Sequence, residues 1–126
     1  MYTPQETVQY ENWIKICYQR AANGKRFSAP LAIEILATFE VPKSYSKKKA
    51  DLCTQNVIRP TRKPDIDNIV KVVADALNGV AYKDDSGIAD LHAIKGYGPD
   101  AMLFIRLTGE LEQTNMPPLT DGGLWR

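Results

Sequence analysis

Cysteine is scarce: Cys17 and Cys53 are the only two in 126 residues, far apart and without a neighbouring Cys or His. That excludes a disulfide-stapled scaffold and a zinc site of the usual spacing, and the two read as buried or idle thiols. Histidine occurs once, as His92, and its mid-strand position reads as structural rather than catalytic. No run of roughly 18 apolar residues occurs, so nothing is suited to span a membrane as a helix. The opening MYTPQETVQYENW lacks the basic-then-apolar order of a secretory signal, which makes the cytoplasm the expected location. Charge of one sign is also lacking overall, at a net +1.

What is there is enough for one domain with one hydrophobic core: 44% hydrophobic and 25% charged residues, in a chain too short for two ordinary domains. The charges are unevenly spread. Between Pro42 and Lys63 stand Lys43, Lys47, Lys48, Lys49, Arg59, Arg62 and Lys63 against the single acid Asp51. A basic stretch running into an acidic cluster suits a phosphate-binding rim beside a metal centre. The plainer reading of Ser-Lys-Lys-Lys alone is a solvated loop.

Thr3-Pro4-Gln5-Glu6 combines a capping box with proline at the first helical position, and Tyr10, Ile14, Cys17 and Ala21 then mark one apolar face. Asn23-Gly24 ends this first helix. Leu31 to Val41 alternates as a strand. A long loop is expected from Pro42 to about Pro64, its length pointing to function or disorder. A second helix is expected from about Asp67 to Leu77, with Ile69, Val70, Val73, Ala76 and Leu77 as its apolar stripe and Asp67, Lys71 and Asp75 as a polar one. A short strand over Val80 to Tyr82 leads to Asp84-Asp85. Two more strands follow, near Ile88 to Tyr97 and Ala101 to Thr108, around a Gly98-Pro99-Asp100 turn. The order predicts an α+β single domain over 1–110, two helices packed on a mixed, mostly antiparallel sheet, with 111–126 as a flexible C-terminal tail.

The informative segment is Arg62-Lys63-Pro64-Asp65-Ile66-Asp67-Asn68-Ile69-Val70-Lys71 with Asp84-Asp85 beyond it. Asp65 and Asp67, two apart on a nearly extended stretch, would face the same side. The helix from Asp67 to Leu77 rises about 15 Å. An extended antiparallel return from Val80 to Asp85 would cover about the same distance and set Asp84-Asp85 beside the helix start. Three carboxylates meeting there repel unless a cation neutralises them, and hard oxygen ligands suit Mg²⁺ or Mn²⁺. That is equipment for metal-assisted phosphodiester hydrolysis. Lys71, one turn from Asp67, can reach the same place; its alternative is an ordinary salt bridge to Asp67 or Asp75. An EF-hand is excluded because Ile69 stands at the fifth position and no glycine follows. Taken alone, a DxD at a helix start is more often a cap. Only the combination carries weight.

KPDIDNIVKVVADALNG followed by YKDDSGI closely resembles the signature of the RusA crossover junction endodeoxyribonucleases, often carried by prophages, and YTPQETVQYENWI resembles their first-helix region. The resemblance runs from Tyr2 to about Leu107. It implies Mg²⁺-dependent homodimers that bind four-way DNA junctions and nick opposing strands for recombination and repair. It implies Asp65, Asp67 and Asp85 as metal ligands and catalytic residues, with Lys71 as the catalytic lysine and Asp84 a less central neighbour. It also lends Lys47, Lys48, Lys49, Arg59, Arg62 and Lys63 a role as DNA contacts. Two departures stand out. Family members usually carry a strand and a basic loop before the first helix, whereas this chain begins almost at that helix, so a sheet edge and part of the DNA surface are expected to be absent. A Gln is common where Gly87 stands. Two other classes remain open: a catalytically weak DNA-binding protein, and a metal-dependent phosphohydrolase of small nucleotides.

Overall fold

In this computed structural model, residues 4–112 are described, with side chains from Gln9 onward. The strict alternation of Leu31, Ile33, Ile35, Ala37 and Phe39 builds strand β1 (Leu31–Glu40), whose odd positions are all buried. It is the central strand. Strand β2 (Ile88–Gly98) pairs with it in parallel and strand β3 (Met102–Thr108) antiparallel, giving the order β2-β1-β3. The sheet is mixed, as expected, but its longer pairing is the parallel one. The Gly98-Pro99-Asp100 turn does not make a hairpin. It carries the chain across the end of β1, where the Thr38 hydroxyl donates to the Asp100 carbonyl at 2.8 Å and accepts from the Met102 amide at 3.1 Å.

Helices α1 (Pro4–Ala22) and α3 (Ile66–Leu77) cover one face of the sheet. The expected boundaries hold, and Asn23 and Gly24, both at positive φ, stop α1. Thr3 of the expected capping box and the tail from residue 113 lie outside the described residues. The tail's first two residues are tied down: Leu111 bridges to Phe27, and the Glu112 amide donates to the Arg26 carbonyl at 2.8 Å. On α3 the buried stripe is Ile69, Val72, Val73, Ala76 and Leu77, and it meets Ile33, Ile35, Phe39 and Ile14 in the core. Fully burying a side chain such as Leu77 or Ile33 contributes roughly 1.5–3 kcal/mol.

Two expectations are corrected. The stretch from Pro42 to Pro64 is not wholly loop: it holds helix α2 (Lys47–Thr54), capped by the Ser46 hydroxyl accepting from the Lys49 amide at 3.2 Å. Val80 to Tyr82 is not a strand. The amides of Val80 and Ala81 both donate to the Leu77 carbonyl, so the chain turns instead of extending, and Tyr82 folds back until its hydroxyl donates to the Ala74 carbonyl at 2.8 Å.

The helical layer is narrower than the sheet. Beside α1, the inner face of β3 is only half covered, leaving a groove of about 820 Å³ between Tyr10, Trp13 and Cys17 on one side and Leu103, Ile105 and Leu107 on the other. Trp13 is 60% exposed there, while Tyr82 is fully buried. No described helix is long and apolar enough to cross a membrane.

Candidate active site

Asp65 is the cap of α3, with extended backbone (φ −67°, ψ 154°), and its carbonyl accepts the first helical bond from Ile69 at 3.1 Å. Its carboxylate, however, makes no capping bond. An Asp at this position ordinarily accepts from an amide of the first turn, so here the side chain is left for something else. Asp67 follows inside the first turn rather than on an extended segment. Both carboxylates therefore belong to the first turn, at the positive end of the helix dipole, which favours negative charge there by about 0.3–1 kcal/mol each. Both are exposed, as is Lys71 one turn further on. Among the described residues the ion pairs are Arg26–Glu112 and Arg106–Glu34, so Lys71 is not spent on a salt bridge to Asp67 or Asp75.

The second acidic pair behaves differently from the first. Asp84 caps a single 3₁₀ turn (Asp85–Gly87), accepting from the Ser86 amide at 3.1 Å. Bonds from the Ser86 side chain and amide, with further ones from Asn78 and the Asp85 amide, hold its carboxyl below the ordinary range. Both acids are exposed; Asp84 is occupied locally by these bonds, whereas the Asp85 carboxylate accepts none among the described residues. The tight turn out of α3 carries this pair into the neighbourhood of Tyr82. Its phenol is pushed well above the usual tyrosine range, first by burial and then by the charges of Asp85, Asp75 and Asp84.

Among the described residues no three His, Cys, Asp or Glu side chains converge closely enough to cage a metal ion. The sequence-based expectation that three carboxylates meet at the start of α3 is corrected to this extent: they enter as two pairs, because the extended return through Val80–Tyr82 does not form. The donor chemistry still fits a hard divalent ion, since every candidate is a carboxylate oxygen open to solvent and Asp65 lacks a local partner.

Of the basic candidates, Lys47, Lys48 and Lys49 form the first turn of α2. Cations at a helix N-terminus oppose the dipole, which makes this turn a place where an anion is welcome. Lys49 also stacks its ammonium 4.0 Å over the Tyr45 ring. Arg59 has a structural tie: its guanidinium donates twice to the Lys95 carbonyl, at 3.2 and 2.8 Å. Lys95, which sequence reasoning passed over, donates from its ammonium to the Arg62 carbonyl at 2.6 Å. The ammonium of Lys95 and the guanidinium of Arg62 both lie over the Phe39 ring, at 5.4 and 5.3 Å. The available signal was phase: Lys95 falls on the core-facing side of β2, between Ala93 and Tyr97, where alternation calls for an apolar residue. His92 is exposed on the opposite face.

A family model described as endodeoxyribonuclease RusA matches residues 1–108. The uncharacterized protein YqaN of Bacillus subtilis (strain 168) is 33% identical over 102 residues, covering 79% of this chain and 72% of that protein. With the acidic and basic segments lying inside the matched range, the chain belongs to the RusA endodeoxyribonuclease family.

Proposed function

We propose that this chain is a Mg²⁺-dependent endodeoxyribonuclease that resolves four-way (Holliday) junctions by paired nicking in DNA recombination and repair, working in the cytoplasm as a homodimer. The observation that carries the reading is the pair Asp65 and Asp67 at the start of α3, with Asp65 making no capping bond and Lys71 beside them in no ion pair among the described residues. Asp65 and Asp67 would hold the divalent ion at the start of α3, with Asp85 drawn in from its turn as third ligand when the ion binds, and with Mn²⁺ able to substitute. The chemistry such an ion supplies is activation of water for attack on phosphorus and stabilisation of the departing oxygen. Lys71 presents its ammonium to the charge that grows on the phosphate in the transition state. Asp84 keeps the 3₁₀ turn in shape and so orients Asp85. The lysines of α2, with Arg62 and Lys63, contact backbone phosphates and set the register on the DNA arms. A junction has two-fold symmetry and needs two cuts. A two-fold dimer presents two copies of the site related by the same operator.

The test is cleavage of a synthetic four-way junction with Mg²⁺. Asp65→Asn, Asp67→Asn and Asp85→Asn should each abolish nicking and leave junction binding intact or tighter. A variant that cuts at the normal rate removes its residue from the site. Binding without any cutting by the unaltered chain would favour a DNA-binding role, and turnover of small nucleotides without DNA affinity would favour a phosphohydrolase.

A further inference from the structure

Only Lys63 and Pro64 separate Arg62 from Asp65, and that segment has no helix or strand of its own to fix it. Two ties hold it, and both run through one residue. The Lys95 ammonium takes the Arg62 carbonyl at 2.6 Å, and the Arg59 guanidinium takes the Lys95 carbonyl by two bonds. The loop is therefore fastened to β2 at both ends of the Arg59–Arg62 stretch. Among the described residues β2 is an edge strand, whose outer side offers carbonyls that no neighbouring strand pairs, and Arg59 captures one carbonyl of this strand. A half-buried lysine on the core-facing side of a strand is costly unless its charge is partnered. Its ammonium lies over the Phe39 ring, and its partner is a backbone oxygen, not a carboxylate.

Resting on the function proposed above, we propose that Lys95 is a positioning residue of the acidic site: its bond to the Arg62 carbonyl fixes where the chain enters α3, and so where Asp65 and Asp67 stand. It touches neither substrate nor metal. A backbone carbonyl serves this purpose better than a side chain would, because holding it fixes the main chain directly.

The experiment compares wild-type protein with Lys95→Met, which keeps an unbranched side chain and removes the charge, and with Lys95→Arg, which can still donate to the carbonyl. Hydrogen exchange of the first bonded amides of α3, from Ile69 (onto the Asp65 carbonyl at 3.1 Å) to Lys71, is measured without metal, and Mn²⁺ binding is measured by calorimetry. In Lys95→Met those amides should exchange roughly tenfold faster or more while the core of β1 keeps its protection. Mn²⁺ should bind roughly 10–100-fold more weakly, as when other residues that orient metal ligands are removed. Lys95→Arg should recover most of both. Unchanged exchange in Lys95→Met overturns the proposal, as does Mn²⁺ binding equal to that of wild type. A wild-type protein that binds no Mn²⁺ at all would overturn the metal-dependent function instead, and the role of Lys95 would then be decided by the exchange result alone.

Discussion

Replacing Gly87 by alanine would put a methyl carbon 2.8 Å from the Ala29 Cβ. Carbon atoms in contact ordinarily sit about 3.5–4.0 Å apart, so one of the two backbones must move by roughly 1 Å. Neither atom is the end of a long side chain that could swing away, since a Cβ is bonded directly to the main chain; the next neighbour, the Ala29 Cα at 3.6 Å, is main chain itself. Forcing extra volume into such a space costs about 1–3 kcal/mol, which for a domain of this size lowers the melting temperature on the order of 5–10 °C. The strain falls on the 3₁₀ turn that carries Asp85, so nicking should drop along with stability. Ala29→Gly removes the obstructing atom from an exposed position and should cost little by itself. Melting wild type, both single variants and the double variant by circular dichroism gives a complete cycle, with an expected coupling of about 1 kcal/mol or more. Gly87→Ala melting like wild type, or Ala29→Gly failing to restore it, would refute the reasoning.

Replacing Lys47, Lys48 and Lys49 together by alanine should weaken junction binding and flatten its dependence on salt, by about 0.9 in slope for every duplex-arm phosphate that is no longer neutralised; an unchanged slope would return these lysines to a solvated turn. Asp84 has a lowered pKa, so its contribution to stability is fully present above the unfolded value near about 3.9 and is lost as pH falls through the folded one. The melting-temperature gap between wild type and Asp84→Ala should therefore be widest near neutrality and close in acid; a gap that grows on acidification would contradict the assignment. Tyr82→Phe removes the bond to the Ala74 carbonyl and should cost about 0.5–1.5 kcal/mol in denaturant unfolding. Light scattering should give twice the mass of one chain, and mixing wild type with Asp67→Asn should yield dimers that nick one strand only.

The elements with strong periodicity were legible: α1, β1, α3 and the last two strands follow from alternation or from a repeat near 3.6, because each buries one face. The acidic pairs were legible as motifs. Their meeting place was not, because it depended on Val80–Tyr82 being extended, and three residues after a helix are decided by local hydrogen bonds to Leu77 and by burial of Tyr82. Helix α2 was missed because Lys47–Thr54 has no apolar stripe; only Ser46 as a cap and Asn56 at positive φ marked its ends. The strand order was not legible either: nothing local to the Gly98-Pro99-Asp100 turn announces that β1 lies between the two strands it joins.

Since β1 and β2 are parallel neighbours, the chain between them must leave the sheet and return, and everything proposed to do chemistry lies on that one excursion: the α2 lysines, both acidic pairs and Lys71. Such a pairing cannot zip up from a tight turn. The long connection has to close first, at an entropic cost that later interactions repay. A chain still being made, or one partly unfolded, therefore owns all its carboxylates without their arrangement. If the proposed function holds, such a nuclease would stay inert toward DNA until its sheet has closed. Its cutting power and its fold would then be gained or lost in the same step.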